Sequence, residues 1–359
     1  MTTVHVIVPE GIDDATRPSG GNTYDRRVCA GLAATGWDVR QLAVSGSWPR
    51  PDAAALSALA RSVAAVPHDA LVLIDGLIAS SSPAVLVPES GRLRLAVLVH
   101  MPLGDDAATA DAEGAVLAGA RAVITTSSWT RQLLLDRHAL RPDRVHVARP
   151  GVDTARPVRG SPAGNRLLCV AAVVPQKGHD VLLAALAGIP HPPWRCALVG
   201  SLDRDPAFVG RLRQQATRSD IAQCVSFRGP RAGDDLRREY AAADLLILPS
   251  HSETYGMVVT EALAVGVPVL ATAVGGVPEA LGRAHAGLPG LLVPPDDQGA
   301  LRNALTRWLR DADLRGRLRR AAHERRATLE GWNATTRCVA AVLSATSGEP
   351  GGLRSRVYP

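Results

Sequence analysis

Cysteine is sparse and scattered. The five residues, Cys29, Cys169, Cys196, Cys224 and Cys338, form no CxxC pair and are odd in number. That argues against a disulfide framework and a cysteine-built metal cluster, and favours a reducing compartment. Aromatic residues make up 3% of the chain, too few for a base-stacking surface, so nucleic acid is not an expected partner. No apolar run reaches the roughly 20 residues of a membrane-spanning helix. The opening "MTTVHVIVPEG" is a strand pattern, broken too early for a secretory leader. These absences predict a soluble, cytoplasmic protein. HExxH, GxGxxG and P-loop patterns are missing, as are paired carboxylates at a strand end, so neither a metal nor a bound cofactor is expected.

What is present is an ordinary globular composition, 46% hydrophobic and 21% charged over 359 residues. That length suggests two domains. The net charge of +6 favours anionic partners: nucleotides, phosphates or an acidic lipid surface. Short apolar runs alternate with helical patterns throughout: "VHVIVP" (4–9), "DVRQLAV" (38–44), "ALVLID" (70–75), "LRLAVLVH" (93–100) and "RAVITTS" (121–127), then "RLLCVAAVV" (166–174), "WRCALVG" (194–200), "CVSFRG" (224–229), "DLLILPS" (244–250), "VPVLAT" (267–272) and "GLLVPP" (290–295). Such alternation predicts parallel sheets covered on both faces. A helix is expected from Asn22 to about Thr35. The Pro- and Gly-rich 144–164 has no periodicity after Ala148 and reads as a linker. The predicted organisation is an N-terminal α/β domain (1–150), a linker (151–164), a second α/β domain (165–328), a helix returning to the first domain (329–346) and a disordered tail (347–359). Ligands of such sheets bind beyond the carboxyl ends of the strands, which places the site in a cleft between two facing doubly wound domains. Arg302, Arg307, Arg310, Arg315, Arg317, Arg319, Arg320, Arg325 and Arg326 crowd one helical stretch. It reads as a solvated face or as a basic surface for anionic lipid.

The segment "HSETYGMVVTEALAVGVPVLAT" carries the clearest chemistry. A buried strand ends in a polar loop, and a helix is expected to start near Tyr255–Gly256. Its free N–H groups and positive dipole end suit a phosphate, and Gly256 lets a diphosphate approach the backbone. Glu253 stands at the rim and Glu261 about one and a half turns into the helix. Carboxylates repel phosphate but accept strong bonds from vicinal hydroxyls, so the set suits a nucleotide-sugar. The plainer alternative makes Glu253 a helix-start charge and Glu261 a solvated residue. Against it, Glu261 leads into "ALAVGVPVLAT", where an unused charge is costly.

Read together, these motifs resemble the retaining glycosyltransferases of the GT-B fold, family four. The resemblance rests on Glu253, Glu261, "ALAVGVPVLAT" and "VGGVPE", on "VVPQKGHDVLLAAL", "VSFRGP", "LRREYAAADLLILPS" and "GLLVPPDDQGALRNAL", and on "SGGN", "VHMPLGD", "TSSWTRQLLL" and "VARPGVDTARP". It implies that Glu253 contacts hydroxyls of the transferred sugar, Glu261 holds the ribose diol and Lys177 reaches the donor diphosphate. Backbone groups of Thr254, Tyr255, Gly256 and Met257 would line the pocket, with Gly20 and Gly21 closing over the diphosphate and His100 facing the reacting sugar. The implied partners are a UDP- or GDP-linked sugar and a small-molecule or lipid-linked hydroxyl acceptor, with no cofactor or metal. Peripheral contact with the inner membrane face is allowed by the charge. One position departs from the family, which usually has an arginine where Ala172 stands; Arg149, Arg228 and Arg231 are candidate substitutes.

Other readings stay beside these. Lys177 also reads as a surface lysine, "SGGN" as a turn with Asn22 as N-cap, His100 as a packing histidine, and Asp105 and Asp106 as helix caps. Asn22, Tyr24 and Asp25 are candidate substrate contacts. The rivals to a transferase are a nucleotide-sugar epimerase or hydrolase, a pseudo-glycosyltransferase and a non-enzymatic nucleotide-sugar sensor.

Overall fold

A computed structural model describes residues 2–14, 18–104, 107–189 and 194–348. Asp105, Asp106 and the tail from 349 onward lie outside the described residues. The strands are β1 (Thr3–Pro9), β2 (Asp38–Val44), β3 (Leu71–Asp75), β4 (Arg94–Val99), β5 (Ala122–Thr125), β6 (Val145–Val147), β7 (Arg166–Val170), β8 (Arg195–Val199), β9 (Val225–Phe227), β10 (Leu245–Leu248), β11 (Val269–Thr272) and β12 (Gly290–Val293). They form two six-stranded sheets, ordered β2-β1-β3-β4-β5-β6 and β12-β11-β10-β7-β8-β9. All pairings are parallel. Parallel strands need crossovers that cover both faces. Accordingly every residue of β3, β5, β10 and β11 is buried.

The chain divides into two compact units. The first is built on Gly20–Gly151 with β1 and the last helix, Trp332–Ser347; the second takes Val152–Gly331. Val339 and Leu343 of the last helix join Val4, Val28 and Leu32 in the first unit's core. Gly31 is what lets this helix approach, since a Cβ there would stand 2.1 Å from Thr336 Oγ1.

The segment expected to be a linker is a strap on the second unit. Val158 N–H donates to the Val265 carbonyl at 2.9 Å, and Trp308 Nε1 donates to the Gly164 carbonyl at 2.6 Å. Ser161 gives both its backbone N–H and its hydroxyl to Asp244, whose side chain is fully buried. Arg326 donates to the Ala155 carbonyl at 2.6 Å. Prolines and glycines removed the periodicity that marks an element, yet the backbone is held by side chains remote in sequence.

The arginine-rich stretch is two helices, Gln298–Arg310 and Ala312–Arg326, separated at Asp311, which caps the second through Leu314 N–H at 2.8 Å. Neither sequence reading of its arginines holds throughout. Arg315 is buried on the Trp308 and Leu309 carbonyls at 2.8 and 3.0 Å. Arg319, Arg325 and Arg326 donate to the carbonyls of Ser161, Leu281 and Ala264. These four close helix ends and loops; Arg302, Arg307, Arg310, Arg317 and Arg320 are exposed.

Candidate functional site

In a doubly wound sheet the crevice lies where strand order reverses. In the second unit that point is between β7 and β10. After β7 the chain makes a short turn, Pro175–Lys177, and enters Gly178 at φ +64°. A Cβ on Gly178 would sit 2.1 Å from the Pro249 carbonyl oxygen, so only glycine allows the loops after β7 and β10 to touch. They are then stitched together: His251 N–H donates to the Gln176 carbonyl at 3.0 Å, and Gln176 Nε2 to Ser252 Oγ at 2.8 Å. The result sets Lys177 Nζ 2.7 Å from Glu253 Oε1, with Ser250 Oγ donating to the same oxygen at 2.9 Å. Both charged side chains keep some exposure, 26% and 13%, so a ligand can reach them.

The loop after β11 fixes the other side of Glu253. A Cβ on Gly275 would fall 1.8 Å from the Glu253 carbonyl oxygen, and one on Gly276 2.2 Å from that of Thr254. Gly276 N–H donates to the Glu253 carbonyl at 3.0 Å. The helix itself runs Met257–Ala264, slightly later than expected, with Gly256 as N-cap at φ +87° and no side-chain cap. Its first N–H groups, at the positive dipole end, are thus not taken up by a side-chain cap. Tyr255 is buried in the core of this unit, so only its backbone is available to a ligand.

Glu261, half-buried on that helix, is neither solvated nor unpaired. Tyr240 donates its hydroxyl to Glu261 Oε2 at 2.6 Å. Burial pushes the Glu261 carboxyl above its ordinary range; the Tyr240 bond opposes this and Asp153 adds to it. The sequence does not single out Tyr240 or Ser250, because a lone Tyr at the end of a charged helix, Gly233–Ala242, reads as its core-facing residue, and a Ser in a polar loop carries no signal. Lys177 carries a signal in the composition as well. It is the only lysine among 40 basic residues. A composition that uses arginine everywhere else keeps a compact ammonium here, and the two are not interchangeable.

None of the candidate substitutes for the missing arginine is presented at Ala172 by the contacts made. Arg228 is bound to Glu239 at 2.9 and 3.1 Å, Arg149 donates to Ser128 Oγ at 3.0 Å within the first unit, and Arg231 is exposed with a long contact to the Pro230 carbonyl.

In the first unit the reversal lies between β1 and β3. Its neighbouring helix starts at Gly20, not Asn22, so Gly20 and Gly21 form a first helical turn rather than a free loop, and Asn22 is not the N-cap. Gly21 lies against His100, whose ring carbon would be 3.4 Å from an added Cβ. His100 Nε2 is 2.7 Å from Asp25 Oδ1 and 3.6 Å from Asp75 Oδ2. Asp75 caps the short helix after β3 through Leu77 N–H at 2.7 Å. Asp25 thus faces the histidine. Tyr24 is a packing residue, contrary to its reading as a substrate contact: it is buried, its hydroxyl donates to the Ala148 carbonyl at 2.8 Å, and its ring meets His100 and Trp332 edge-on.

Burial drives the Asp75 carboxyl up to about 7, with Asp25 adding to the rise and His100 and the helix N–H groups opposing it. Burial alone lowers His100, but the charge and hydrogen bond of Asp25, then Asp75, outweigh it, and the imidazole stands above its ordinary value. One polar atom from each of the three lies within 4.8 Å of the others. The 2.7 Å contact is a hydrogen-bond length; two atoms on one tetrahedral ion stand about 3.3 Å apart.

Residues 153–325 match the family model described as glycosyl transferases group 1. D-inositol 3-phosphate glycosyltransferase of Frankia alni is 36% identical over 247 residues, covering 63% of this chain and 59% of that protein. The chain spans about half the length of the curated relatives it matches. Among solved structures, sucrose-phosphate synthase from Thermosynechococcus elongatus superposes with a TM-score of 0.80 at 24% identity, covering 96% and 99% of the two chains. Anabaena HepE in complex with UDP-glucose gives 0.77 at 20% identity, covering 96% and 100%. No described helix is long and apolar enough to cross a membrane. The chain thus has a GT-B fold of two six-stranded parallel sheets, and its residues 153–325 are similar to the glycosyl transferases group 1 family.

Proposed function

We propose that the protein is a retaining, metal-independent hexosyltransferase that moves a sugar from a nucleoside diphosphate to an acceptor hydroxyl. The observation that carries this reading is the Lys177–Glu253 pair at the second unit's strand reversal, beside a helix start without a side-chain cap. Lys177 and the N–H groups at Gly256 and Met257 stabilise the diphosphate as it leaves, where negative charge develops. Glu253, released from Lys177 as the phosphate binds, accepts hydroxyls of the transferred sugar. Glu261, with one oxygen on Tyr240, offers the other to the ribose diol. The leaving phosphate takes the acceptor proton on the same face, so no separate base is required.

The donor is UDP- or GDP-linked. The likeness to HepE, solved with UDP-glucose, makes UDP-glucose the first to try. The relatives act on D-inositol 3-phosphate by name, and the first unit's charged cluster suits a polyhydroxylated acceptor of that kind. A second reading, the pseudo-glycosyltransferase, keeps one supporting observation: Ala172 has no basic side chain and no candidate arginine is presented there. Incubation with UDP- and GDP-hexoses and a panel of cyclitol and sugar phosphates, followed by NMR of the product's anomeric proton, decides. A glycoside of the donor's own anomeric configuration is expected; an inverted glycoside, or only free sugar, would overturn the proposal.

A further inference from the structure

The first unit holds a cluster whose charges do not balance. Asp25 and Asp75, 3% and 4% exposed, face one imidazole at 2.7 and 3.6 Å. Were all three ionised, one negative charge would be left over in a site with little water, and neighbouring carboxylates there do not both stay ionised. The contacts are also unequal. Asp25 Oδ1 makes the hydrogen bond to Nε2, while its Oδ2 is buried with no partner among the described residues. Asp75 takes the helix N–H groups on Oδ1 and turns Oδ2 toward the ring. Among the described residues the remaining titratable group facing the ring is Tyr24 on the Asp25 helix, which burial holds protonated and whose hydroxyl is spent on Ala148.

We propose that Asp25 and Asp75 are positioning residues for His100: Asp25 orients the ring through Nε2 and holds it as the imidazolium, and Asp75 carries the one proton that lets both carboxyls remain buried. The first unit then presents a charged donor of fixed orientation at the end of β4, suited to an oxygen of a hydroxylated substrate. This rests on the reading that the first unit binds such a substrate. As pH rises and Asp75 ionises, the cluster gains a negative charge and that geometry is lost.

The two carboxyls therefore have opposite signatures. D75N copies the protonated Asp75 and still caps its helix, so it should remove the alkaline fall of the pH–rate profile. D25N should lower kcat about ten-fold or more with the donor KM little changed. The direct readout is NMR of the full chain with 13C-labelled histidine, assigned through H100Q. His100 should titrate above 6.5 in the wild type and fall below it in D25N. An ordinary His100 titration in the wild type, unchanged by D25N, overturns the proposal even if D25N is poorly folded, because the wild-type curve and D75N are read independently. A stoichiometric shift of the His100 signal on adding Zn2+ alone also overturns it, in favour of a metal site. If the titrations are as expected but no donor is consumed, the charge arrangement stands and the transferase reading is the one that fails.

Discussion

Asp244 gives the most quantitative stability prediction. Its carboxylate is fully buried and accepts from the Ser161 N–H, from the Ser161 hydroxyl at 2.6 Å, from Arg166 N–H at 3.0 Å and from Arg319 at 3.3 Å. One side chain thus ties the strap after Val152 to the start of β7 and to the helix Ala312–Arg326. Replacing it with alanine leaves two N–H donors, a hydroxyl and part of a guanidinium without an acceptor. Removing one partner of such a buried network costs about 3–5 kcal/mol. For a unit of this size each kcal/mol moves the midpoint by about 2–4 °C, so D244A should melt about 6–20 °C lower. Calorimetry, with urea unfolding at an unchanged slope, measures it. A loss under about 1 kcal/mol, the range of an exposed ion pair, would refute the claim that Asp244 organises the strap.

Three more outcomes follow from particular contacts. G178A forces a side chain into φ +64° and toward the Pro249 carbonyl; it should cost about 2–4 kcal/mol and weaken donor binding, whereas G210A, in an open helical site, should stabilise by up to about 1 kcal/mol. Y240F removes the bond to Glu261, so donor affinity measured by calorimetry should fall about ten-fold and its loss on acidification should begin at higher pH, because in the proposed donor site the carboxylate must be ionised to accept the ribose diol. His179 is buried, with a pKa lowered by burial and by Lys177 from 6.5 to about 4. The unfolded chain therefore binds its proton first, stability falls as pH drops through that window by about 1.4 kcal/mol per unit, and H179Q should flatten this slope in denaturant titrations.

The strands were legible because parallel sheets bury both faces and leave short continuous apolar runs, of which "LLIL" and "VLAT" are the plainest. Glu253 and Glu261 stood out for the reverse reason, as carboxylates beside apolar text. The strap was not legible: its bonds run to Asp244, Val265 and Trp308, and proline and glycine leave no period. Nor was the role of Arg315 or Arg326, whose carbonyl partners are set by tertiary placement. The cluster of Asp25, Asp75 and His100 joins three segments up to 75 residues apart. Asp25 was readable as a contact and His100 as a packing residue, Asp75 at the end of an apolar strand carried no signal of its own, and only the β1–β3 reversal brings them together. Tyr24 shows the same limit, since a buried tyrosine and a ligand-facing one look alike beside two glycines.

The central claim is that Lys177 and Glu253 form the donor site, and the chain's single lysine makes it directly testable. Acetylation with a lysine-selective reagent, located by peptide mass spectrometry apart from any N-terminal label, modifies one side chain. UDP-glucose or GDP-mannose is expected to protect Lys177 from the reagent, and the acetylated protein to lose binding of that donor in calorimetry while keeping its melting temperature. Labelling at an equal rate with and without every nucleotide-sugar, with turnover intact after complete acetylation, would contradict the account.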